Sequence, residues 1–169
     1  MLFGIPPHLP PALLETLARM GHGDEIALVD ANYPAHSDAR GCLVPRPIDL
    51  PGRSCPEAMA DVLALMPLDV FDDAPVIAMG APDPASGPRG APPSVHAEMI
   101  DVLASVPAAP DAPWRLDTLE RFAFYERVRA GFAVVRTLER RPWGNVILKK
   151  GVIAPDGSLM TPKIAAEAE

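Results

Sequence analysis

The stretch Met20 to His36, MGHGDEIALVDANYPAH, sets the tightest limit on what this chain can fold into. Four consecutive apolar residues, Ile26 to Val29, are bounded on both sides by turn-forming residues. Such a short continuous run fits a strand in a sheet core. Its polar neighbours gather at the two ends. Gly21, His22, Gly23, Asp24 and Glu25 precede it; Asp30, Asn32, Tyr33 and Pro34 follow it. Loops at the ends of stiff elements are where scaffolds present chemistry.

The rest of the chain alternates helical patterns with similar short runs. Pro10 and Pro11 open a helix, where a missing N–H costs little, and Gly21 stands where a C′ glycine would stop it. Met1 to Ile5 reads as a short strand or an N-terminal arm. Cys42 to Val44 reads as a strand broken by Pro45 and Pro47. Ser54 and Glu57 have capping-box spacing ahead of Met59, Val62, Leu63 and Met66. Val76 to Met79 is another apolar run. The breaker-rich stretch 81–93 reads as a loop, and Val95, Met99, Val102, Leu103 and Val106 mark the next helix. Asp117 and Glu120 are candidate caps for a helix reaching Ala130. Phe132 to Thr137 and Val146 to Leu148 close the set as strands, joined by a turn from Pro142 to Asn145. Helices alternating with continuous apolar strands predict an α/β domain, its sheet covered on both faces.

Composition narrows the function. With 49% apolar residues among 169, one domain can bury a real core. A net charge of -7 argues against nucleic acid, because phosphate binding needs clustered Lys and Arg. Cys42 and Cys55, the only cysteines, do not make a disulfide framework and point to a reducing, cytoplasmic setting. Prolines interrupt the N-terminus where a signal peptide would need an apolar core, and no apolar run approaches a membrane span.

Several residues could carry chemistry. His22, between two glycines, reads either as a surface histidine in a helix-to-strand turn or as a proton-transfer group. Asp30 reads either as a cap for the turn at Asn32 or as a carboxylate that binds hydroxyls or takes a proton. His22, Asp24, Glu25 and His36 lack zinc-ligand spacing, and the expectation is no metal. In RFAFYERVR, Arg121 and Tyr125 lie one turn apart, either as part of an ordinary amphipathic helix or reaching together into a cleft. Trp143, Gly144 and Asn145 offer an aromatic ring, a close-approach glycine and an amide, a set that suits a sugar. Neither a dinucleotide fingerprint nor a P-loop is present, and no serine sits in a nucleophile elbow.

Taken together, GIPPHLPPALLETLARMGHGDEIALVDANYPAH, RFAFYERVRAGFAVV and GNVILKKGV, in that order, resemble the L-fucose mutarotase / D-ribose pyranase family. Arg121 in the middle segment, rather than His, resembles the fucose branch. The resemblance implies a three-layer α/β/α sandwich spanning residues 1–153, with the 81–93 loop inside it and 154–169 as a peripheral tail. It implies interconversion of sugar anomers or ring forms without a cofactor. It implies His22 as proton donor, with Asp30, Arg121, Trp143, Gly144 and Asn145 on the sugar; the one-turn spacing adds Tyr125 beside Arg121 as a further candidate. It also implies a homo-oligomer, such as a ten-subunit ring, with sites near subunit contacts. Trp143 stands where the family has Tyr, which exchanges a phenolic hydroxyl for a larger ring. The competing class is a sugar-binding or scaffold protein that keeps the fold without catalysis, or a pyranase acting on D-ribose. One difficulty is geometric: His22 and Asp30 flank an extended strand. Either the Gly21–Gly23 loop folds back, or one residue serves a neighbouring subunit.

Overall fold

The run Ile26–Val29 forms the body of strand β1 (Glu25–Val29), and all four residues are buried. The computed structural model describes residues 2–80, 94–107 and 113–160. Around β1 lie β2 (Ile48–Asp49), β3 (Val76–Met79), β4 (Asp117–Leu119), β5 (Ala133–Arg136) and β6 (Val146–Lys149). They form one sheet in the order β2-β5-β1-β6-β3-β4. β1, β2 and β5 are mutually parallel, and β3 is parallel to β4. β6 runs antiparallel to both β1 and β3. Five strands therefore share a direction, and β6 alone opposes them. The C-terminal ends of β1, β3, β4 and β5 lie along the same sheet edge as the start of β6.

Among the described residues, five α-helices cover the sheet: α1 (Pro11–Arg19), α2 (Ala35–Asp38), α3 (Cys55–Leu63), α4 (Ser94–Ser105) and α5 (Arg121–Arg129). Side chains alternate across a strand, so β1 feeds two cores. Ile26 and Leu28 pack with Leu13 and Leu17 of α1, Met59 and Val62 of α3, and Val95 and Met99 of α4. Ala27 and Val29 pack with Phe124 and Val128 of α5 and Ala35 of α2. The result is the expected three-layer α/β/α sandwich. None of its helices, among the described residues, is long and apolar enough to cross a membrane.

Local signals explain most boundaries. The Ser54 side chain accepts from the Glu57 N–H while the Glu57 carboxylate accepts from the Ser54 N–H, a complete capping box on α3. Glu120 caps α5 by accepting from the N–H groups of Phe122 and Ala123. Three expectations need correction. Asp117 does not cap α5, because it pairs with Ile77 at the start of β4. Cys42 to Val44 form no strand; β2 begins only at Ile48, after both prolines. Of the two readings of the N-terminus, residues 2–5 form no strand and are turn and coil, in keeping with an arm. Gly21 is not a left-handed stop: Met20 ends α1 by turning extended, and it is Gly23 that takes φ +83. The Lys150 ammonium satisfies the end of α1 instead, donating to the Leu17 and Met20 carbonyls at 2.7 and 2.6 Å. The loop at 81–93 lies outside the described residues, as do 161–169 of the tail.

Candidate active site

The exit of β1 is bound tightly to the entrance of β6. Asn145 Oδ1 accepts from the Asp30 N–H at 2.9 Å, and Asn145 Nδ2 donates to Asp30 Oδ2 at 2.8 Å. The other carboxylate oxygen of Asp30 accepts from the Asn32 N–H at 2.9 Å. The turn-capping role of Asp30 is therefore present, alongside a side-chain partner far away in sequence. Both residues are buried. Burial raises the Asp30 pKa above its ordinary value, against the opposing pull of its hydrogen bonds to Asn145 and to backbone.

In front of this pair lies a pocket of about 240 Å3, lined by Asp30, Met79, Arg121, Tyr125, Trp143 and Asn145 among others. It sits at the C-terminal edge of the parallel strands, the usual ligand position in open α/β sheets. Arg121 and Tyr125 arrive on one face of α5, as their one-turn spacing allows. The Arg121 guanidinium stacks over Phe122, 4.5 Å from the ring centroid. Tyr125 packs edge-on against Tyr33 at 5.3 Å, and Tyr33 fixes its own hydroxyl by donating to Asp38 at 2.8 Å.

Trp143 reaches the pocket from the loop joining β5 to β6. Its φ is +69, the left-handed region, which for a non-glycine residue costs about 1–2 kcal/mol. Gly144 follows it and does not line the pocket. A Cβ there would meet Glu139 Cγ at 2.5 Å, so the glycine makes room for Glu139. Glu139 is buried and binds Arg141, which holds its carboxylate down to about 2. Arg141 also engages Glu98 of α4.

His22 lies elsewhere. Its Nε2 is 3.1 Å from Asp69 Oδ1, and its ring meets Phe71 edge-on at 5.5 Å. A carboxylate only accepts, so Nε2 carries the hydrogen and Nδ1 is left to exchange a proton. The pairing is framed by the end of β6. Gly23 N–H donates to the Lys150 carbonyl at 2.8 Å, and Asp69 N–H donates to the Lys149 carbonyl at 3.1 Å. Gly151 has no room for a side chain against the Leu68 carbonyl. This is the opposite edge of the sheet from Asp30. Five residues of strand separate the two edges, roughly 16 Å at the usual rise. The Gly21–Gly23 loop does not fold back, and within one chain Asp30 does not orient the His22 imidazole.

The structure thus brings together Asp30, Arg121, Tyr125, Trp143 and Asn145, puts Gly144 behind them, and leaves His22 apart. Two of the other side chains weighed as metal ligands beside His22 are engaged: Glu25 pairs with Arg127 and Lys149, and Asp24 accepts from the Gly21 N–H. Sequence reasoning missed Asn32, Met79, Pro142 and Asp69. Met79 ends an apolar run at the same sheet edge as Asp30, a signal that strand order would have exposed. Asp69 is 47 residues from His22 and carries no spacing signal.

Comparison with known proteins decides the family. Residues 3–153 match the model described as the RbsD / FucU transport protein family. This chain belongs to the RbsD/FucU family. It is 41% identical over 156 residues to the fucose mutarotase of Bos taurus, covering 92% of this chain and 96% of that protein. It is 38% identical to the L-fucose mutarotase of Histophilus somni, covering 90% and 97%. Among solved structures, the fucose mutarotase of Streptococcus pneumoniae in complex with L-fucose is similar with a TM-score of 0.76 and 35% identity. That match covers 90% of this chain and all of the other.

Proposed function

We propose that this protein is a cofactor-independent mutarotase that interconverts the anomers of L-fucose or a closely related pyranose. The observation that carries the reading is the pocket in which the buried Asp30–Asn145 pair faces Arg121, Tyr125 and Trp143. It is smaller than pockets for drug-sized ligands and suits one sugar ring. Trp143 covers the apolar face of the pyranose. Asp30, Arg121 and Asn145 bind its hydroxyls.

Mutarotation requires a proton delivered to the ring oxygen and one removed from the anomeric hydroxyl. The bond from C1 to the ring oxygen breaks, the aldehyde turns about C1–C2, and the ring closes on its other face. His22 is the proton donor in this reading, working through Nδ1 while Asp69 holds Nε2. General acid–base assistance of this kind contributes about 10²–10⁴-fold. Because His22 and the pocket occupy opposite sheet edges of one chain, the working site takes His22 from a second copy. The protein is then a homo-oligomer with head-to-tail contacts, which close into a ring. The exposed Phe71 beside His22 and the exposed Phe122 beside Arg121 give both sides of that contact apolar surface.

Saturation-transfer NMR over a panel of aldoses tests the activity. A mutarotase transfers saturation between the two anomeric signals, most strongly for L-fucose. The separation of His22 from the pocket also favours a second reading, a monomeric sugar binder that broadens the signals without exchanging them. Light scattering distinguishes the two, since a monomer of about 18.0 kDa cannot bring His22 to the sugar.

A further inference from the structure

Helix α4 touches the loop that carries Trp143 at two points. Near its start, His96 Nε2 lies 3.1 Å from the Trp143 carbonyl oxygen. Two residues later, Glu98 holds Arg141, which also binds Glu139. Glu139 in turn fills the space beside the bare Gly144. Trp143 therefore has a restraint on its own carbonyl and others on both sides of it. The restraint on the carbonyl matters most, because φ +69 is a conformation that tryptophan leaves when it can.

His96 is buried at 5% exposure, although its type is usually exposed or partly so. Burial lowers its pKa and so favours the neutral ring, while the Trp143 hydrogen bond acts in the opposite sense. A neutral imidazole has one N–H, and a carbonyl can only accept. The hydrogen must be on Nε2. A leucine of similar size would fill the same volume and leave the carbonyl unpaired.

We infer that His96 is a positioning residue for the sugar pocket: its Nε2–H grips the Trp143 carbonyl and so fixes the indole in the left-handed conformation that lines the pocket. His96 itself does not line the pocket. The inference rests on the sugar-site reading for its effect on substrate, but its effect on Trp143 can be read without sugar.

The test uses the full chain with Trp114→Phe, so that Trp143 is the only tryptophan. His96→Leu keeps volume and loses the donor; His96→Gln restores an N–H near the Nε2 position. Free of sugar, His96→Leu should shift Trp143 emission and raise its anisotropy decay rate, and His96→Gln should return both toward wild type. With L-fucose, His96→Leu should raise KM about tenfold with kcat nearly unchanged, on the scale of one lost hydrogen bond to a held loop. Unchanged emission and KM in a folded His96→Leu protein would overturn the inference. So would a His96→Gln protein no better than His96→Leu. If neither variant folds, ¹⁵N-histidine NMR of the unmutated protein decides: an Nε2–H tautomer for His96 supports the grip, and an Nδ1–H tautomer overturns it. If the wild type does not bind L-fucose at all, the sugar-site reading fails, while sugar-free emission and the tautomer still judge the grip.

Discussion

Asn145 and Asp30 bond each other twice, once through the Asp30 backbone and once through its carboxylate. One amide therefore both fastens the entrance of β6 to the exit of β1 and presents the carboxylate to the pocket. Removing it leaves a buried carboxylate and a buried N–H short of a partner. Asn145→Ala is expected to lose about 1–3 kcal/mol of stability, seen as a lower urea midpoint, and to abolish anomeric exchange. A variant with wild-type exchange would show that the pair is structural only.

The separation of His22 from Asp30 gives a sharper outcome. His22 is about half exposed, so His22→Ala should cost no more than about 1 kcal/mol while exchange collapses. Asp30→Asn should also be inactive. Mixed, dissociated and reassembled in equal amounts, the two inactive proteins should recover roughly a quarter of wild-type activity, because a quarter of randomly formed contacts join an intact His22 to an intact pocket. No recovery, with subunit exchange verified by mass spectrometry, would refute a site shared between copies.

Acid stability should report Glu139. Hydrogen bonds from Arg141 hold its carboxylate at about 2, below its ordinary 4.5. A lowered pKa means the folded state binds the proton more weakly than the unfolded one. The stabilisation is complete above about 4.5 and is lost as pH falls toward 2, an amount of about 3 kcal/mol. Asp30 has the opposite sign. Its raised pKa makes ionisation costly in the fold, so its contribution falls as pH rises through the folded value. Urea midpoints between pH 2 and 6 should drop on the acid side for wild type and flatten for Glu139→Gln. An identical acid limb in both would remove Glu139 as the cause.

How much of this was legible in the sequence follows from where the signals are local. The capping box at Ser54 and Glu57, the apolar runs at Ile26 and Val76, and the one-turn spacing of Arg121 and Tyr125 each depend on neighbours within a few residues. The α/β reading, with a sheet covered on both faces, followed from them. What escaped depends on distant pairing. Asp117 looked like a cap because of its spacing from Glu120, but Ile77, 40 positions earlier in the chain, claims it for the sheet. Cys42 to Val44 have strand-like side chains, and the Leu43 and Val44 amides do donate to the Gly131 and Phe132 carbonyls, yet no ladder develops there. The direction of β6 was not readable either. It matters most for the site, because only a reversed β6 puts Asn145 beside Asp30 and Lys150 beside the His22 loop.

Trp143 combines a strained backbone with a ring in the pocket wall, and the two effects have opposite signs on replacement. Glycine at φ +69 is at ease, so Trp143→Gly should remove the strain, while alanine keeps it. The indole is only partly buried against Tyr125 and its neighbours, so both variants lose some packing. Between the two, Trp143→Gly should be more stable than Trp143→Ala by about 1 kcal/mol. Both should raise KM for L-fucose sharply with little change in kcat, because stacking on a pyranose face stabilises ground and transition states alike. Trp143→Tyr keeps a ring and adds a hydroxyl, and should retain most turnover. The comparison isolates the ring from the backbone: if Trp143→Gly recovered wild-type KM, the ring would be dispensable and the pocket would owe its affinity to Asp30, Arg121 and Asn145 alone. Steady-state exchange rates and urea midpoints on the three variants supply both readings from one set of proteins.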